Sequence, residues 1–285
     1  MSFAFFPFSC LRRQRHHHHH RHHHHSLSLA SLLRTVTFIV GVALALFVCY
    51  SLSLFDIVSA GDARHELLAD GVSISKAYGR HGRLDYDGID VSRHQGLINW
   101  HRVGADSCVK FVYIKATEGS DLKDSFYLSN VRGAHDAGLL VGSYHYLTSS
   151  SSVKQQFRNF YSLVDRRQQN LPPLIDVEEE GIRGWSRSEL RQNLLELIYL
   201  IERHYHVSPI IYCYARFYND YLWPRFNRYR LFVSHYSAAE LPLESGARPC
   251  LWQHSDRGIV DGIDGYVDLD VLASDVTLSD LLVKP

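Results

Sequence analysis

Thiols are scarce in this chain and poorly placed for chemistry. Five cysteines are spread over 285 residues. Cys10 and Cys49 lie early, and Cys108, Cys213 and Cys250 form an odd set whose spacing matches neither a metal site nor a redox pair. One disulfide stays open in an oxidising compartment, with buried single thiols as the alternative. Net charge is also lacking: 30 Lys and Arg face 30 Asp and Glu, so no basic surplus points to nucleic acid. No acid occurs before Asp56, whereas Arg12, Arg13, Arg15, Arg21 and Arg34 all precede it. Charge is absent from Thr35 to Phe55.

That uncharged run meets the need for about 20 apolar residues in a membrane-spanning helix. With arginines before it and Asp56, Asp62 and Glu66 after it, the positive-inside rule leaves the N-terminus in the cytoplasm and exports the rest. Val58-Ser59-Ala60 resembles a signal cleavage site, so secretion after cleavage near Ala60 is the alternative. The apolar run is longer than a usual signal core and favours a retained anchor. The expected organisation is a basic tail over 1–34, a transmembrane helix over 35–55, a stalk over 56–86 and a folded domain over 87–285. His16–His20 and His22–His25 offer metal ligands without a fold to set their geometry, which reads as a disordered tail.

From Asp87 onward short apolar runs alternate with longer amphipathic ones, the pattern of β/α units around a parallel sheet or barrel. Strands are expected at Gly88–Val91, Phe111–Thr117, Leu140–Leu147, Leu174 onward, Pro209–Tyr214, Leu231–Tyr236, Cys250–His254 and Val267–Val271. Helices are expected to begin near Ile98 and to cover Phe126–Ala137 and the region of Val153–Val164. The clearest begins at Ser186, where Ser186 and Glu189 form a capping box and Leu190, Leu194, Leu197, Ile198 and Ile201 share a face. About eight strands in roughly 200 residues approach the lower size limit of a (β/α)8 barrel. The fold expected is therefore α/β, an incomplete barrel with short or missing helices and an antiparallel last strand pair, since 258–268 leaves no room for a helix.

Pro172 to Glu180 reads as a buried strand ending in acid. Side chains alternate along a strand, so Asp176 and Glu178 face one side and Val177 the other. Two residue rises separate their backbones by roughly 6.5–7 Å, a spacing at which two carboxyls can flank a glycosidic bond. The plainer reading is an acid run that caps the next helix. Barrel enzymes carry their chemistry at the C-terminal ends of strands, and Asp90, Lys115, His145, Asp176, Glu178, Tyr212, His235 and Gln253 all fall at or near such ends. His145 and His235 are expected as hydrogen-bonded core histidines, and no metal-ligand cluster or cofactor motif emerges.

Gly88-Ile89-Asp90-Val91-Ser92 with Gln95-Gly96 and Asn99-Trp100, then Phe111–Gly119, resembles the family 25 glycoside hydrolases, the Chalaropsis-type lysozymes. Ala137–Leu139, Gly142–Tyr146, Leu174–Glu178, Pro209–Tyr212, Trp252–Ser255, Val260–Ile263 and Val267–Asp270 continue the resemblance over roughly Asp87–Leu272. It implies a muramidase that cleaves the β-1,4 bond between N-acetylmuramic acid and N-acetylglucosamine in peptidoglycan, and with the uncharged run over 35–55 the expectation is a bacterial, membrane-anchored member. A monomeric catalytic domain on the periplasmic or extracytoplasmic side and no cofactor are implied with it. Glu178 matches the general acid, Asp176 the second carboxylate, and Asp90 and Asp268 the outer acids. Tyr146 and Tyr212 match substrate-lining positions; Lys115, Tyr236, Trp252 and Gln253 are further substrate-binding candidates. Either the substrate's 2-acetamido group or Asp176 is the nucleophile. Arg93-His94 and Phe232 stand where the family often carries aromatics, and Asp270 replaces a frequent asparagine. A catalytically idle glycan-binding module and a chitinase-like hydrolase are the alternatives. No wall-binding repeats are seen, so targeting is expected to depend on the anchor.

Overall fold

The computed structural model describes residues 86–237 and 241–283. The tail, the span over 35–55 and nearly all of the stalk lie outside the described residues; among those described, no helix is long and apolar enough to cross a membrane. β1 (Gly88–Val91) leads through a 3-10 turn at Arg93–Gln95 to the short helix α1 (Trp100–Gly104). Then come β2 (Phe111–Glu118), the two-residue β3 (Leu122–Lys123), α2 (Tyr127–Asp136), β4 (Leu140–Tyr146), α3 (Val153–Tyr161), β5 (Leu174–Asp176) and α4 (Arg187–Tyr205). β6 (Ile210–Tyr214) is followed by a single turn, α5 (Ala215–Phe217), that runs into a π-helical turn at Tyr218–Leu222. The chain closes with β7 (Leu231–Ser234), β8 (Pro249–Gly258), β9 (Val267–Leu272) and α6 (Leu278–Leu281).

Eight strands close a ring in the order β1, β2, β4, β5, β6, β7, β8, β9 and back to β1. Neighbours run parallel from β1 round to β8, while β9 is antiparallel to both β8 and β1. β3, which the sequence pattern does not reveal, hangs on β2 as an antiparallel edge. Among the described residues no helix joins β7 to β8 or β8 to β9. The incomplete barrel and its reversed last strand are thus both present, and β5 is shorter than its apolar run suggested.

Strand alternation divides the core in two. Phe111, Tyr113, Leu174, Ile210, Tyr212, Phe232 and Leu251 fill the barrel interior. Val112, Ile114, Ile175, Val177, Ile211, Cys213 and Val233 pack in the outer layer with helix residues such as Leu190, Leu194 and Ile198. α4 starts where the sequence places it: Ser186 Oγ accepts the Glu189 N–H, and Glu189 returns a bond to the Ser186 N–H at 2.8 Å. This reciprocal cap satisfies two N–H groups that a helix start otherwise leaves open.

Interior volume is matched across strands. Gly142 of β4 pairs with Tyr113 of β2, and a Cβ at Gly142 would fall 2.3 Å from the Tyr113 ring. Tyr113 is fully buried and its hydroxyl donates to the Pro172 carbonyl at 3.2 Å, so it has nowhere to move. Gly142→Ala is expected to destabilise the domain by about 1–3 kcal/mol, the usual range for overpacking, read as a lower denaturant midpoint with an unchanged m-value.

Candidate active site

The barrel mouth holds a cleft of about 270 Å³ lined by Asp90, Asp176, Glu178 and Asp268, with Tyr113, Tyr144, Tyr212, Tyr214, Tyr236, Phe232, Gln253, His94 and Gln95. The four acids reach it by three routes. Asp90 sits one residue before the end of β1. Asp176 is the last residue of β5, and Glu178 lies two residues on, beyond the strand that sequence reasoning carried through it. Extended backbone continues past the strand end, because the Val177 N–H still bonds to the Tyr212 carbonyl at 3.0 Å. Val177 therefore packs in the outer core while Asp176 and Glu178 both face the cleft. Asp268 lies at the start of β9, opposite Asp90. β9 runs backwards, so its N-terminal end meets the rim that the parallel strands meet with their C-terminal ends.

A hydrogen-bond relay fixes one wall. Tyr212 and Tyr236 both donate to Gln253 Oε1, at 2.8 and 2.7 Å. That sets the amide so that Gln253 Nε2 donates to Asp90 Oδ2 at 2.6 Å. Gln253 thus spends its side chain on Asp90 and the two tyrosines. On the other wall Tyr146 donates to Glu178 Oε2 at 3.4 Å, and the Lys115 ammonium lies 4.9 Å from the centre of the Tyr146 ring. Lys115 also pairs with Glu118 at 2.7 Å. Neither Lys115 nor Tyr146 is among the cleft-lining residues; Tyr146 acts on Glu178 through its hydroxyl and Lys115 on Asp176 and Glu178 through its charge.

Crowding and burial set the charge state of the cleft. Burial, then the Glu178 charge, pushes Asp176 well above the usual carboxylate range, with Lys115 pulling the other way. Asp90 is pushed up by burial and then by Asp268, against the lowering bond from Gln253. Asp268 rises to about 6 through burial and then the charges of Asp256 and Glu178. Glu178 is raised by burial, held back by the Tyr146 hydroxyl, and raised again by Glu180. Asp176 Oδ1 is buried and has no hydrogen-bond partner among the described residues. Carboxyls raised by desolvation and like charge keep a proton at pH values where free carboxylates have lost theirs.

Other predicted positions take different places. Trp252 is turned away: on β8 it faces opposite Gln253, and its indole N–H bonds to the His235 carbonyl at 2.8 Å. It is not among the residues that line the cleft. His145 is fully buried in the outer core between Thr117 Oγ1 at 2.8 Å and Gln156 Oε1 at 3.1 Å, and burial lowers its imidazole to about 4. His235 follows β7 and is only half-buried, so it is not the core histidine expected. Glu179 and Glu180 are exposed turn acids. Among the described residues no disulfide links Cys108, Cys213 and Cys250, the last two of which are buried. Tyr144 and Tyr214 line the cleft without having been singled out. The signal was available, because each lies two residues from a named tyrosine and so on the same strand face. His94 and Phe232, noted as departures from the family pattern, are both cleft residues.

The Tyr146 bond yields a directional expectation. That bond lowers Glu178, so Tyr146→Phe should let Glu178 hold its proton to higher pH. The alkaline limb of the pH–rate profile should then move upward; a limb that stays or moves down would show that the hydroxyl does not govern this carboxyl.

Comparison with known proteins supports the same assignment. The sequence model for Glycosyl hydrolases family 25 matches residues 89–263. Uncharacterized protein YegX of Escherichia coli K12 is 42% identical over 188 residues, which span 65% of this chain and 68% of YegX. The autolytic lysozyme of Clostridium acetobutylicum is 32% identical over 197 residues, 69% of this chain and 58% of that protein. Among solved structures, the bacterial lysozyme from Streptomyces coelicolor superposes with a TM-score of 0.62 at 30% identity, covering 68% of this chain and 94% of that one. A family match over more than half of the chain, set on a barrel whose mouth gathers the four acids, identifies the chain as a member of glycosyl hydrolase family 25.

Proposed function

We propose that the domain is a lysozyme, a 1,4-β-N-acetylmuramidase that hydrolyses the bond between N-acetylmuramic acid and N-acetylglucosamine in peptidoglycan. The observation that carries this reading is the convergence of Asp90, Asp176, Glu178 and Asp268 on one tyrosine-walled cleft, with Glu178 raised above its ordinary range. The relatives named as lysozymes support the same substrate.

Glu178 is the general acid. It protonates the glycosidic oxygen as the bond to the anomeric carbon breaks, so that the leaving sugar departs as a neutral alcohol. The 2-acetamido oxygen of the muramic acid closes on the anomeric carbon and forms a cyclic intermediate. Asp176 holds the acetamido N–H; its buried, unpartnered Oδ1 is an acceptor ready for that group, and Lys115, which opposes the upward push on Asp176, favours the ionised form that offsets the positive charge developing at the ring. Water then opens the intermediate with Glu178 as base, which returns the anomeric carbon to its starting configuration. Asp90, held by the Gln253 amide, stands on the opposite wall. Tyrosines 214 and 236, edge to face at 6.4 Å and partly exposed, offer apolar surfaces for sugar rings. The amino-terminal region, through a helix over 35–55, would hold the domain at the outer side of the cytoplasmic membrane, facing its polymer.

Glu178→Gln should lower kcat on purified peptidoglycan by about 10²–10⁴-fold, the range of general acid catalysis, with the fold kept by circular dichroism. Mass spectrometry should place muramic acid at the new reducing ends; glucosamine there would make the enzyme a different hydrolase. NMR of the first product should show the retained anomer, and the inverted one would exclude the acetamido route. For the topology, a phosphatase fused after Pro285 should be active only when exported.

A further inference from the structure

Asp270 is an acid of this region that the reaction above does not use. It lies on β9 two residues beyond Asp268 and therefore on the same strand face, in register with Gly88 of β1 and Gln253 of β8. It is completely buried, and neither carboxyl oxygen meets a hydrogen-bond partner among the described residues. The groups that bear on it are acidic or neutral. Asp90 and Asp268 act on it by charge, and the buried Tyr113 phenol feels Asp270 in turn. Asp87 donates its backbone N–H to the Asp270 carbonyl, but its own carboxylate is taken by Lys110 at 2.6 Å and the Leu272 N–H at 3.1 Å. Among the described residues no cation is among the groups that act on Asp270, and Arg230 acts on Tyr113 instead.

The donor that could have served Asp270 is committed elsewhere. Gln253 stands opposite it in the β8–β9 ladder, yet its amide N–H goes to Asp90 and its oxygen to two tyrosines. A carboxyl with an N–H donor is stabilised as an anion; a dry carboxyl with none is stabilised as the acid. We propose that Asp270 is a positioning residue that stores a proton beneath the Asp90–Asp268 pair, so that negative charge is left to that pair and Asp270 serves as a neutral, amide-like group. Burial first, then Asp90 and Asp268, hold its proton well above the usual range, with no lowering contribution, whereas Asp90 has one from Gln253. An added negative charge at this depth would meet Asp90 and Asp268 directly. The stored proton prevents that while the cleft works.

The linkage has a definite sign. An acid that keeps its proton in the folded state but releases it near pH 4 when unfolded lowers stability progressively as pH rises above that value. Asp270→Asn supplies the neutral shape without the titration. Its melting temperature should equal that of the parent at pH 4 and exceed it increasingly above, by roughly 3 °C for each pH unit at first. The infrared difference between parent and variant at pH 7 should show the carbonyl stretch of a protonated carboxyl. A melting difference independent of pH, an Asp270→Asn protein destabilised at every pH, or a carboxylate band in place of the acid band would overturn the proposal. None of these readouts depends on which glycan is cleaved, so failure of the lysozyme reading would leave them unchanged.

Discussion

Acids at the mouth of this barrel repel one another where little solvent screens them, and much of the surrounding structure answers that repulsion. Gln253 gives its amide to Asp90, Tyr146 its hydroxyl to Glu178, and Lys115 its charge to both Asp176 and Glu178. The result is a set of carboxyls with unequal proton affinities. That inequality matters more to glycoside cleavage than the number of acids, because one group must arrive protonated while its neighbour stays charged.

The barrel supplies these contacts by geometry. A residue on an inward strand position can only face other inward positions, and closure brings β9 beside β1 although about 180 residues separate them in sequence. The tyrosines that line the cleft belong to β2, β4 and β6 and to the segment after β7. They give the acids an apolar surround without hydrogen-bonding most of them. Desolvation is accordingly the first cause behind every raised carboxyl in the cluster.

Strand positions, the α4 cap and the two-sided nature of β5 were legible in the sequence because they depend on local pattern: alternation, the Ser186–Glu189 pair, and proline before an apolar run. The reach of each side chain was less so. Trp252 and Gln253 are adjacent and both polar-tipped, and only the register of β8 decides that one serves the cleft and the other the outer wall. Bulges at Lys115/Thr117 and Gln253/Ser255 reset that register locally, and no short-range signal announced them. Lys115 illustrates the limit differently. Its match to the family lysine offers two roles, holding a nearby carboxylate ionised or meeting a substrate oxygen; in the structure it pairs with Glu118 and its charge lowers Asp176 and Glu178.

The reversal of β9 has a consequence for how such a domain can diversify. In the parallel part of the ring every strand climbs to the rim and its return path descends on the outside through a helix or loop. Between β8 and β9 the chain turns on the rim itself, over residues 259–266. That turn is tied to the segment between β1 and β2 by Gln95 to the Tyr266 carbonyl at 3.4 Å, Asn99 to the Gly262 carbonyl at 2.8 Å and the Arg102–Asp261 pair. Ile259 and Tyr266 stand largely exposed on it. A lengthened or recomposed turn there would reshape the rim next to the cleft residue Gln95 while leaving all eight barrel strands at their present length, so this hairpin can vary independently of the acids below it.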